Sequence, residues 1–381
     1  MRLHMQLCAL VCVLFAASCA HRSSVLPAQL PDFGGSATLP VAAANVTLAG
    51  TSPYSYAGCP VFTSNDWFTT NLLTGGSSYV SNTVDPNSAT ILSSYSAAMG
   101  SVRFSINGTT NSVSRGTAVN LATTATPLLR VTSSSCRYGC FDDAYNDEGS
   151  SVPALCMSNC AWRIPWQYGF VEQGTCTYGD CHDESLNTQT CVSYETYASE
   201  RYSYAGTSFI VASGAVHNLH YSWDAQRNGG PDAAGVPYVG TMLWGEDAAL
   251  PAIYHSIAVS IAGSGGTPIA SGGWVKPAVW VNHPCKISCG HPLPLGARLR
   301  LNRSKYTCPA AATHPQAHKI CVTMQTYGIL VIDWNGTSHA FGPYLQPTRS
   351  RTNPWSETDV AALNGIPITD FDLMTMGTYH P

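Results

Sequence analysis

Hydrophobic and polar residues alternate in several short runs in the second half of the chain. These runs include "SFIVASGAVHNLHYSW", "IYHSIAVSIAG", "GWVKPAVWVNHP", "ARLRLN" and "ILVIDWNGTSHAF", and Gly or Pro separates them. A two-residue period between turn residues predicts β-strands. In "YHSIAVSIA", Ile257, Val259 and Ile261 share one face, and His255 has the same parity. We therefore expect the His255 side chain to point toward the interior.

Three other stretches carry helical spacing. In "NSATILSSYSAAMG", residues 87–100, apolar side chains recur every four positions before Gly100, and "HKICVTMQTYG" repeats this pattern before Gly328. A glycine directly after such a run is typical of a helix end. The stretch "NPWSETDVAALNG" predicts a last helix, because Ser356 and Asp359 stand at approximate capping-box spacing and Gly365 follows.

Short strands outnumber these helices, so we predict a mainly β fold, a jelly-roll-like sandwich with a few short helices. The expected organisation is a signal peptide at 1–20, a flexible lead at 21–57 and a single β-rich domain at 58–381. Within that domain, about 134–205 is rich in cysteine and poor in aliphatic residues. This segment is predicted to be an irregular, disulfide-rich insertion.

The first 20 residues have the pattern of an export signal. Arg2 and His4 precede the apolar run "LCALVCVLFAA", and cleavage after Ala20 would follow a small-x-small pattern. The run is too short for a membrane span, so no transmembrane segment is expected. A lipid anchor on Cys19 is the alternative to free secretion. The predicted location is secreted, extracellular or periplasmic.

Cysteine counting agrees with export. Three of the 15 cysteines lie in the leader, and the even remainder permits up to six disulfides. Spacing suggests that Cys285 or Cys289 pairs with Cys308 or Cys321, and that the cysteines at 136–191 form a separate group. Zinc is the competing interpretation, but the repeated Cys-x3-Cys spacing is wider than that of common zinc knuckles. We therefore expect disulfides and no metal.

Charge and motifs exclude several classes of function. The formal net charge is −4 and there is no basic run, which argues against nucleic-acid binding. Charged residues make up only 10% of the chain, against roughly 25% in typical soluble domains. The sequence lacks a nucleophile elbow, a zincin motif, a P-loop and a dinucleotide fingerprint, so no cofactor is expected.

Acidic residues crowd into one stretch of this charge-poor chain. Asp232, Glu246 and Asp247 lie within 229–263 together with His255, and Asp333 and Asp370 are more distant candidates. A pair of carboxyl groups is what glycoside hydrolysis requires. In this interpretation Glu246 is the proton donor or nucleophile, Asp232 is its partner, and His255 orients or tunes one of them. The structural alternative is a turn that leads into a core strand.

Aromatic residues supply candidate sugar-binding surfaces. Trp223, Tyr238 and Trp244 are the candidates for substrate binding, although such rings also pack in protein cores. His217 and His220 are three residues apart, so on a strand they face opposite sides, which argues against a shared metal. The predicted partner is a polysaccharide or another glycan.

Several segments resemble a largely uncharacterised family of secreted bacterial β-rich proteins. "CPVFTSNDWFTTNLLT…VDPNS" is similar to that family's F-P-x-D-N-x-W-N opening with V-D-P-N-S. "PDAAGVPYVGTMLWGEDAALPAIYHSIAV" is similar to its A-D-A-A-G-L-P-I…D-E…I-x-H-A-L-R-F-T segment, and "TMQTYGILVIDWNG…NPWSETDVAALNGIPITDFDL" to its closing segment. The resemblance covers roughly 58–107 and 208–374 and skips the cysteine-rich part.

The resemblance matches positions and implies a fold, but it implies no reaction. Asp232 matches the Asp of A-D-A-A-G, and His255 matches the I-x-H histidine. Either Glu246 or Asp247 matches the D-E pair. The family's Arg is missing, since this chain has Ser-Ile-Ala-Val after His255 where the family has Ala-Leu-Arg-Phe. From the residues themselves we predict a secreted carbohydrate-active enzyme, a glycoside hydrolase. The alternative is a non-catalytic glycan-binding or cell-surface structural protein.

Overall fold

The structure is a computed structural model. The residues that it describes are 54–62, 66–106, 118–126, 128–133, 161–165, 182–197, 204–205, 208–211, 213–226, 230, 232–262, 273–279, 293–335, 340–343 and 355–380. The predicted signal peptide, its Cys19 and most of the predicted lead lie outside these residues.

Strands dominate the described residues, as the sequence predicted. They are, in chain order, β1 (Ser55–Tyr56), β2 (Cys59–Pro60), β3 (Arg103–Phe104), β4 (Ala118–Ala122), β5 (Leu128–Ser133), β6 (Ala161–Pro165), β7 (His182–Asn187), β8 (Val192–Tyr197), β9 (Tyr204–Ala205), β10 (Ser208–Val211), β11 (Ser213–Asn218), β12 (Ile257–Ala262), β13 (Trp274–Val275), β14 (Arg298–Leu301), β15 (Ile329–Asn335), β16 (Ala340–Pro343), β17 (Phe371–Leu373) and β18 (Tyr379–His380).

The helices are short. They are α1 (Ser88–Ala98), α2 (Trp223–Gln226), α3 (Pro315–Thr326) and α4 (Glu357–Val360), and 3-10 turns occur at Tyr238–Gly240, Glu246–Ala248, Ala361–Leu363 and Ile368–Asp370. The three helices predicted from the sequence are confirmed as α1, α3 and α4. Among the described helices, none is long and apolar enough to cross a membrane.

A six-stranded sheet holds the largest part of the core, in the order β17-β14-β15-β12-β16-β3. Strand β12 is central, because it pairs in parallel with β15 and antiparallel with β16. Both faces of β12 are covered, since Ala258 is as completely buried as Ile257 and Val259. Gly328 follows the C-cap of α3, and a Cβ there would lie 2.5 Å from the carbonyl oxygen of Leu299. Glycine therefore permits the close turn from α3 into β15.

Two four-stranded sheets are built partly from the cysteine-rich segment. Their strand orders are β6-β5-β10-β9 and β11-β8-β7-β4. The prediction of an irregular insertion at about 134–205 is therefore wrong for its described residues, which form β6, β7, β8 and β9. Strand β7 pairs in parallel with β4 and antiparallel with β8, so these strands join the rest of the chain despite the few aliphatic residues of the segment.

The β-rich class is confirmed, but the sheets are mixed. Four strand pairs are parallel, namely β12 with β15, β16 with β3, β4 with β7, and β5 with β10. A jelly roll is built from antiparallel Greek keys, so the jelly-roll arrangement is not confirmed. Parallel neighbours require crossover connections through other elements, and the hydrophobic pattern of a single strand does not specify them.

Ordered structure begins before residue 58. The predicted flexible lead extended to 57, but Tyr54 and Tyr56 are only 3% and 4% exposed, and Ser55–Tyr56 pairs with β2. The lead prediction is wrong for Tyr54 to Ala57, because the two tyrosines join the core and a glycine-containing turn places β1 against β2.

Two disulfides join described cysteines. Cys308 pairs with Cys321 across 13 residues with the Cα atoms 5.6 Å apart, and Cys59 pairs with Cys191 with the Cα atoms 5.3 Å apart. The suggested pairing of Cys308 or Cys321 with Cys285 or Cys289 is wrong, because α3 folds back on the preceding loop. Cys191 was also predicted to belong to a separate group of cysteines at 136–191. It pairs instead with Cys59, because β8 begins beside β2.

Candidate functional site

Glu246 and Asp247 are neighbours with opposite environments. They lie in the 3-10 turn Glu246–Ala248, where Glu246 is exposed and Asp247 is fully buried. Asp247 Oδ2 accepts a hydrogen bond from the backbone N–H of Trp244 at 2.8 Å and lies 3.3 Å from His255 Nε2. The structure therefore brings the Asp247 carboxylate and the His255 ring together within ion-pair distance, and both side chains are buried.

The histidine is held from its other side as well. His255 Nδ1 lies 2.8 Å from the carbonyl oxygen of Ser256. A carbonyl oxygen only accepts, so Nδ1 carries a proton when this hydrogen bond forms. A hydrogen bond between Nε2 and Asp247 then needs a second proton. The buried His255 ring therefore has a polar partner within hydrogen-bond distance at each nitrogen.

The segment at residues 54–57 covers this turn. The Tyr54 hydroxyl lies 3.5 Å from both carboxylate oxygens of Asp247, and its ring centroid is 4.4 Å from that of His255. The Tyr56 ring stacks on Trp244, and the Ala57 N–H donates to Glu246 Oε2 at 3.5 Å. Burial, and then the Asp247 charge, raise the pKa of Tyr54 well above its usual value, so this phenol stays neutral.

The Lys319 side chain stabilises the turn that carries Asp247 by hydrogen bonds to backbone oxygens. Its ammonium group donates to the carbonyl oxygens of Asp247, Ala248 and Leu250 at 2.6, 3.0 and 2.6 Å. Burial lowers the pKa of Lys319, while the charge of Asp247 opposes this change. Three carbonyl partners satisfy all three ammonium donors. This geometry indicates that the turn and its acid are part of the structural framework.

Asp232 lies in a separate tight turn. Its Oδ1 accepts hydrogen bonds from the N–H groups of Ala234 and Val236, both at 2.9 Å. Burial raises the pKa of Asp232 well above its usual value, and the charges of Asp333 and Glu195 add to this effect. Among the described residues, no hydrogen bond or ion pair joins Asp232 to the Asp247 pair, so the structure does not unite the predicted carboxylates.

Two further buried acids went unnoticed in the sequence. Glu184 on β7 stands directly opposite Glu195 on β8, and both are fully buried. Glu195 Oε1 accepts from the Val239 N–H at 3.2 Å, and its Oε2 lies 3.7 Å from His217 Nε2. Burial and the Glu195 charge raise the pKa of Glu184 well above its usual value. The polar strands "HDESLN" and "VSYETY" carry no hydrophobic pattern that could have marked these acids as buried.

The remaining predicted residues have structural positions. His217 on β11 is buried, whereas His220 is exposed in the turn that follows β11. Asp333 is half-buried on β15, and the backbone oxygen of Asp370 accepts from the Asn302 N–H at 3.0 Å. In the described part of the chain, no group of three His, Cys, Asp or Glu side chains is arranged to hold a metal ion.

The predicted sugar-binding aromatics are all buried in the core. Trp223, Tyr238 and Trp244 are at most 1% exposed. The Trp223 N–H donates to Asp66 Oδ2 at 2.8 Å, and its indole N–H donates to the Pro277 oxygen at 3.1 Å. A ring binds a sugar through an accessible face, so these three rings pack the core in this conformation.

A different pair of aromatic residues lines an open depression. Trp67 and Tyr79 are half-buried, with ring centroids 5.6 Å apart. We call the cavity beside them the aromatic depression; Ser81, Lys276, Arg298 and Met376 are among its lining residues. None of its lining residues, all of which the structure describes, is Asp or Glu.

Two donors in the wall of the aromatic depression have no acceptor. Trp67 Nε1 and Arg298 Nε are both shielded from solvent and make no hydrogen bond. An unpaired buried donor costs about 1–3 kcal/mol, and most native donors avoid this cost. The cost is recovered when an acceptor atom of a ligand reaches them. The sequence contained no local signal for this site, because Trp67, Lys276 and Arg298 come from distant segments.

No protein family, curated protein or solved structure matches the chain. The resemblance to secreted bacterial β-rich proteins therefore stays a prediction.

Proposed function

We propose that the protein is an exported, non-catalytic glycan-binding protein that binds sugar at the aromatic depression. The observation that carries this proposal is the combination of two half-buried rings, Trp67 and Tyr79, with the two unpaired donors in the same wall. Sugars present apolar C–H faces to aromatic rings and acceptor oxygens to N–H donors. The depression offers both.

The residues that line the aromatic depression favour glycan binding over glycoside hydrolysis. Glycoside hydrolysis needs two carboxyl groups that flank the scissile bond, and the depression has no acidic lining residue. The predicted acids Asp232 and Asp247 are buried and hydrogen-bonded to backbone N–H groups. These hydrogen bonds support a structural role for both acids.

A glycoside hydrolase is the second candidate. The observation that favours it is Glu246, an exposed acid that stands beside the buried Asp247–His255 pair. In this proposal Glu246 donates the proton, and its partner carboxylate is Asp247, which is exposed when the Tyr54–Ala57 segment moves away.

Export is also part of the proposal. The leader-like start and the disulfides Cys59–Cys191 and Cys308–Cys321 support an oxidising compartment. The protein is proposed to be secreted or periplasmic, and retention by a lipid on Cys19 is its alternative. Its proposed partner is a polysaccharide.

The test of glycan binding uses the purified mature chain and a polysaccharide panel in affinity electrophoresis. We expect retardation by at least one polysaccharide and a loss of affinity of about tenfold in Tyr79→Ala, equal to about 1.4 kcal/mol. The matched control is Tyr254→Ala, which removes an exposed tyrosine that does not line the depression.

The same mixtures are assayed for new reducing ends. Release that Glu246→Gln abolishes and Tyr79→Ala spares would replace the binding proposal with the hydrolase. If no polysaccharide of the panel retards the wild-type protein and none is cleaved, glycan binding is rejected. Equal affinity in Tyr79→Ala and wild type would move the binding site away from the aromatic depression.

A further inference from the structure

We infer that the aromatic depression selects acidic glycans, with Arg298 as the cation that recognises the carboxylate of a uronic acid residue. This inference rests on the proposed glycan binding and specifies its ligand class. A neutral glycan would use only the rings, whereas a uronic acid residue would also engage the positive charge in the wall.

The first argument is that Arg298 is a buried cation without an acidic partner. Its side chain is 5% exposed, and no ion pair joins it to any acid of the described chain. Arg300, two residues along β14, instead lies 3.5 Å from Asp372. Buried charges are normally paired, so Arg298 is the exception on this strand.

The second argument is that backbone oxygens hold the Arg298 guanidinium in place. One terminal nitrogen donates to the Tyr327 oxygen at 2.7 Å, and the other donates to the Trp67 oxygen. The Nε–H remains unpaired. Burial lowers the pKa of Arg298 to about 9, so an approaching anion relieves the cost of this charge.

The third argument is the pairing of donors. The hydrogen bond between Arg298 and the Trp67 backbone oxygen joins two lining residues of the depression whose side-chain Nε–H and Nε1–H groups lack acceptors. A carboxylate has two acceptor oxygens in one plane and accepts such donors well. The sugar ring that carries it would then lie beside Trp67 and Tyr79.

The two acids near the aromatic depression, Asp224 and Asp66, contact groups other than Arg298. Lys276 at the rim lies 3.9 Å from Asp224, and both side chains are about one third exposed, so this contact is weakly held. Asp66 is occupied on both oxygens, by the N–H groups of Trp67 and Trp223 at 2.6 and 2.8 Å. Neither acid forms an ion pair with Arg298.

The test compares oligogalacturonate with its carboxyl-reduced form by isothermal titration calorimetry. We expect the acidic oligosaccharide to bind at least about tenfold more tightly, and its affinity to fall as salt is raised. Arg298→Lys and Lys276→Gln should each weaken binding of the acidic form and leave the reduced form unchanged. The matched control, Arg300→Gln, removes an arginine that does not line the depression.

The outcomes separate this inference from the proposed function. Equal affinity for both oligosaccharides, together with loss of binding in Tyr79→Ala, would overturn acidic selectivity and keep glycan binding. Absence of binding to either probe and to the polysaccharide panel would overturn both. Because Arg298→Lys disturbs a buried group, thermal unfolding checks its fold. The Lys276→Gln variant, which changes a side chain about one third exposed, and the salt dependence test the inference if Arg298→Lys does not fold.

Discussion

At the scale of single residues, burial decides what each acid of this chain does. Glu184 faces Glu195 across the β7–β8 pair, the hydroxyl of Ser193 donates to Glu184 at 2.7 Å, and His217 lies beside Glu195. Asp232 adds a third buried acid whose pKa is raised in part by Glu195. Two carboxylates this close in the interior repel each other, so a retained proton stabilises the fold.

The first residue-scale prediction concerns pH. Burial raises the folded pKa of Glu184 above its usual 4.5, so the folded state keeps a proton that the unfolded state releases. The resulting stability is fully present below about pH 4.5 and is lost as pH rises through the folded pKa. In thermal unfolding from about pH 4.5 to 8, we expect wild type to lose more stability than Glu184→Gln, by at least about 1 kcal/mol.

The control for this pH series is Glu246→Gln, because Glu246 is exposed. Its unfolding temperatures should follow those of wild type at every pH. Parallel curves for wild type and Glu184→Gln would show that Glu184 does not carry the proton.

At the scale of elements, one acid connects the starts of two helices. The Ser356 hydroxyl accepts from the Asp359 N–H at 3.4 Å and caps α4, as the sequence predicted. The Asp359 carboxylate instead accepts from Gln316 and Ala317 N–H groups at 2.9 and 3.2 Å, in the first turn of α3. Asp359 therefore caps a helix about 40 residues earlier in the chain.

We expect Asp359→Ala to lower the free energy of unfolding by about 1–2 kcal/mol, because two N–H groups of α3 lose their acceptor. Asp359→Asn should lose less, since its amide oxygen still accepts. Denaturant unfolding measures both, and hydrogen exchange at Gln316 and Ala317 locates the effect. Glu357→Ala, which removes an exposed acid of the same turn, should stay within about 0.5 kcal/mol of wild type; equal losses at both positions would contradict the cap.

At the scale of the whole molecule, the two disulfides close loops of different length. Cys59–Cys191 spans 132 residues and ties β2 to the β7–β8 hairpin, whereas Cys308–Cys321 spans 13 residues and holds α3 against the loop before it. A cross-link stabilises by restricting the unfolded chain, and the restriction grows with the logarithm of loop length.

Removing the long-range disulfide should therefore cost more than removing the local one. We expect the Cys59→Ala, Cys191→Ala double variant to be less stable than the Cys308→Ala, Cys321→Ala variant by about 2 kcal/mol. Denaturant unfolding of the two oxidised variants measures the difference. A larger loss from the local pair would show that packing around α3 outweighs the entropy of the unfolded chain.

Local periodicity predicted several elements and burial patterns correctly. The four-residue spacing in α1 buries Ile91 and Tyr95, and His255, two residues before β12, is buried as predicted. Gly100 and Gly328 follow their helices with φ of 76° and 74°. These features depend on near neighbours and on which side of an element meets the core, so the order of residues is sufficient to predict them.

The candidate site could not be predicted in this way. Trp67, Tyr79, Lys276 and Arg298 meet in one wall although more than 200 residues separate the first from the last. The predicted platform Trp244 faces inward because Tyr56 covers it. Which ring remains accessible depends on which distant segment packs on it.

The sequence by itself determined the β-rich class, the three helices and the inward parity of His255, because backbone geometry and hydrophobic spacing act over a few residues. Tertiary structure alone decided the strand order, the partner of Cys191, the opposition of Glu184 and Glu195, and the unpaired state of Arg298. These features arise when segments far apart in the chain compete to bury the same apolar surface. Their outcome sets the solvation and charge of each functional group.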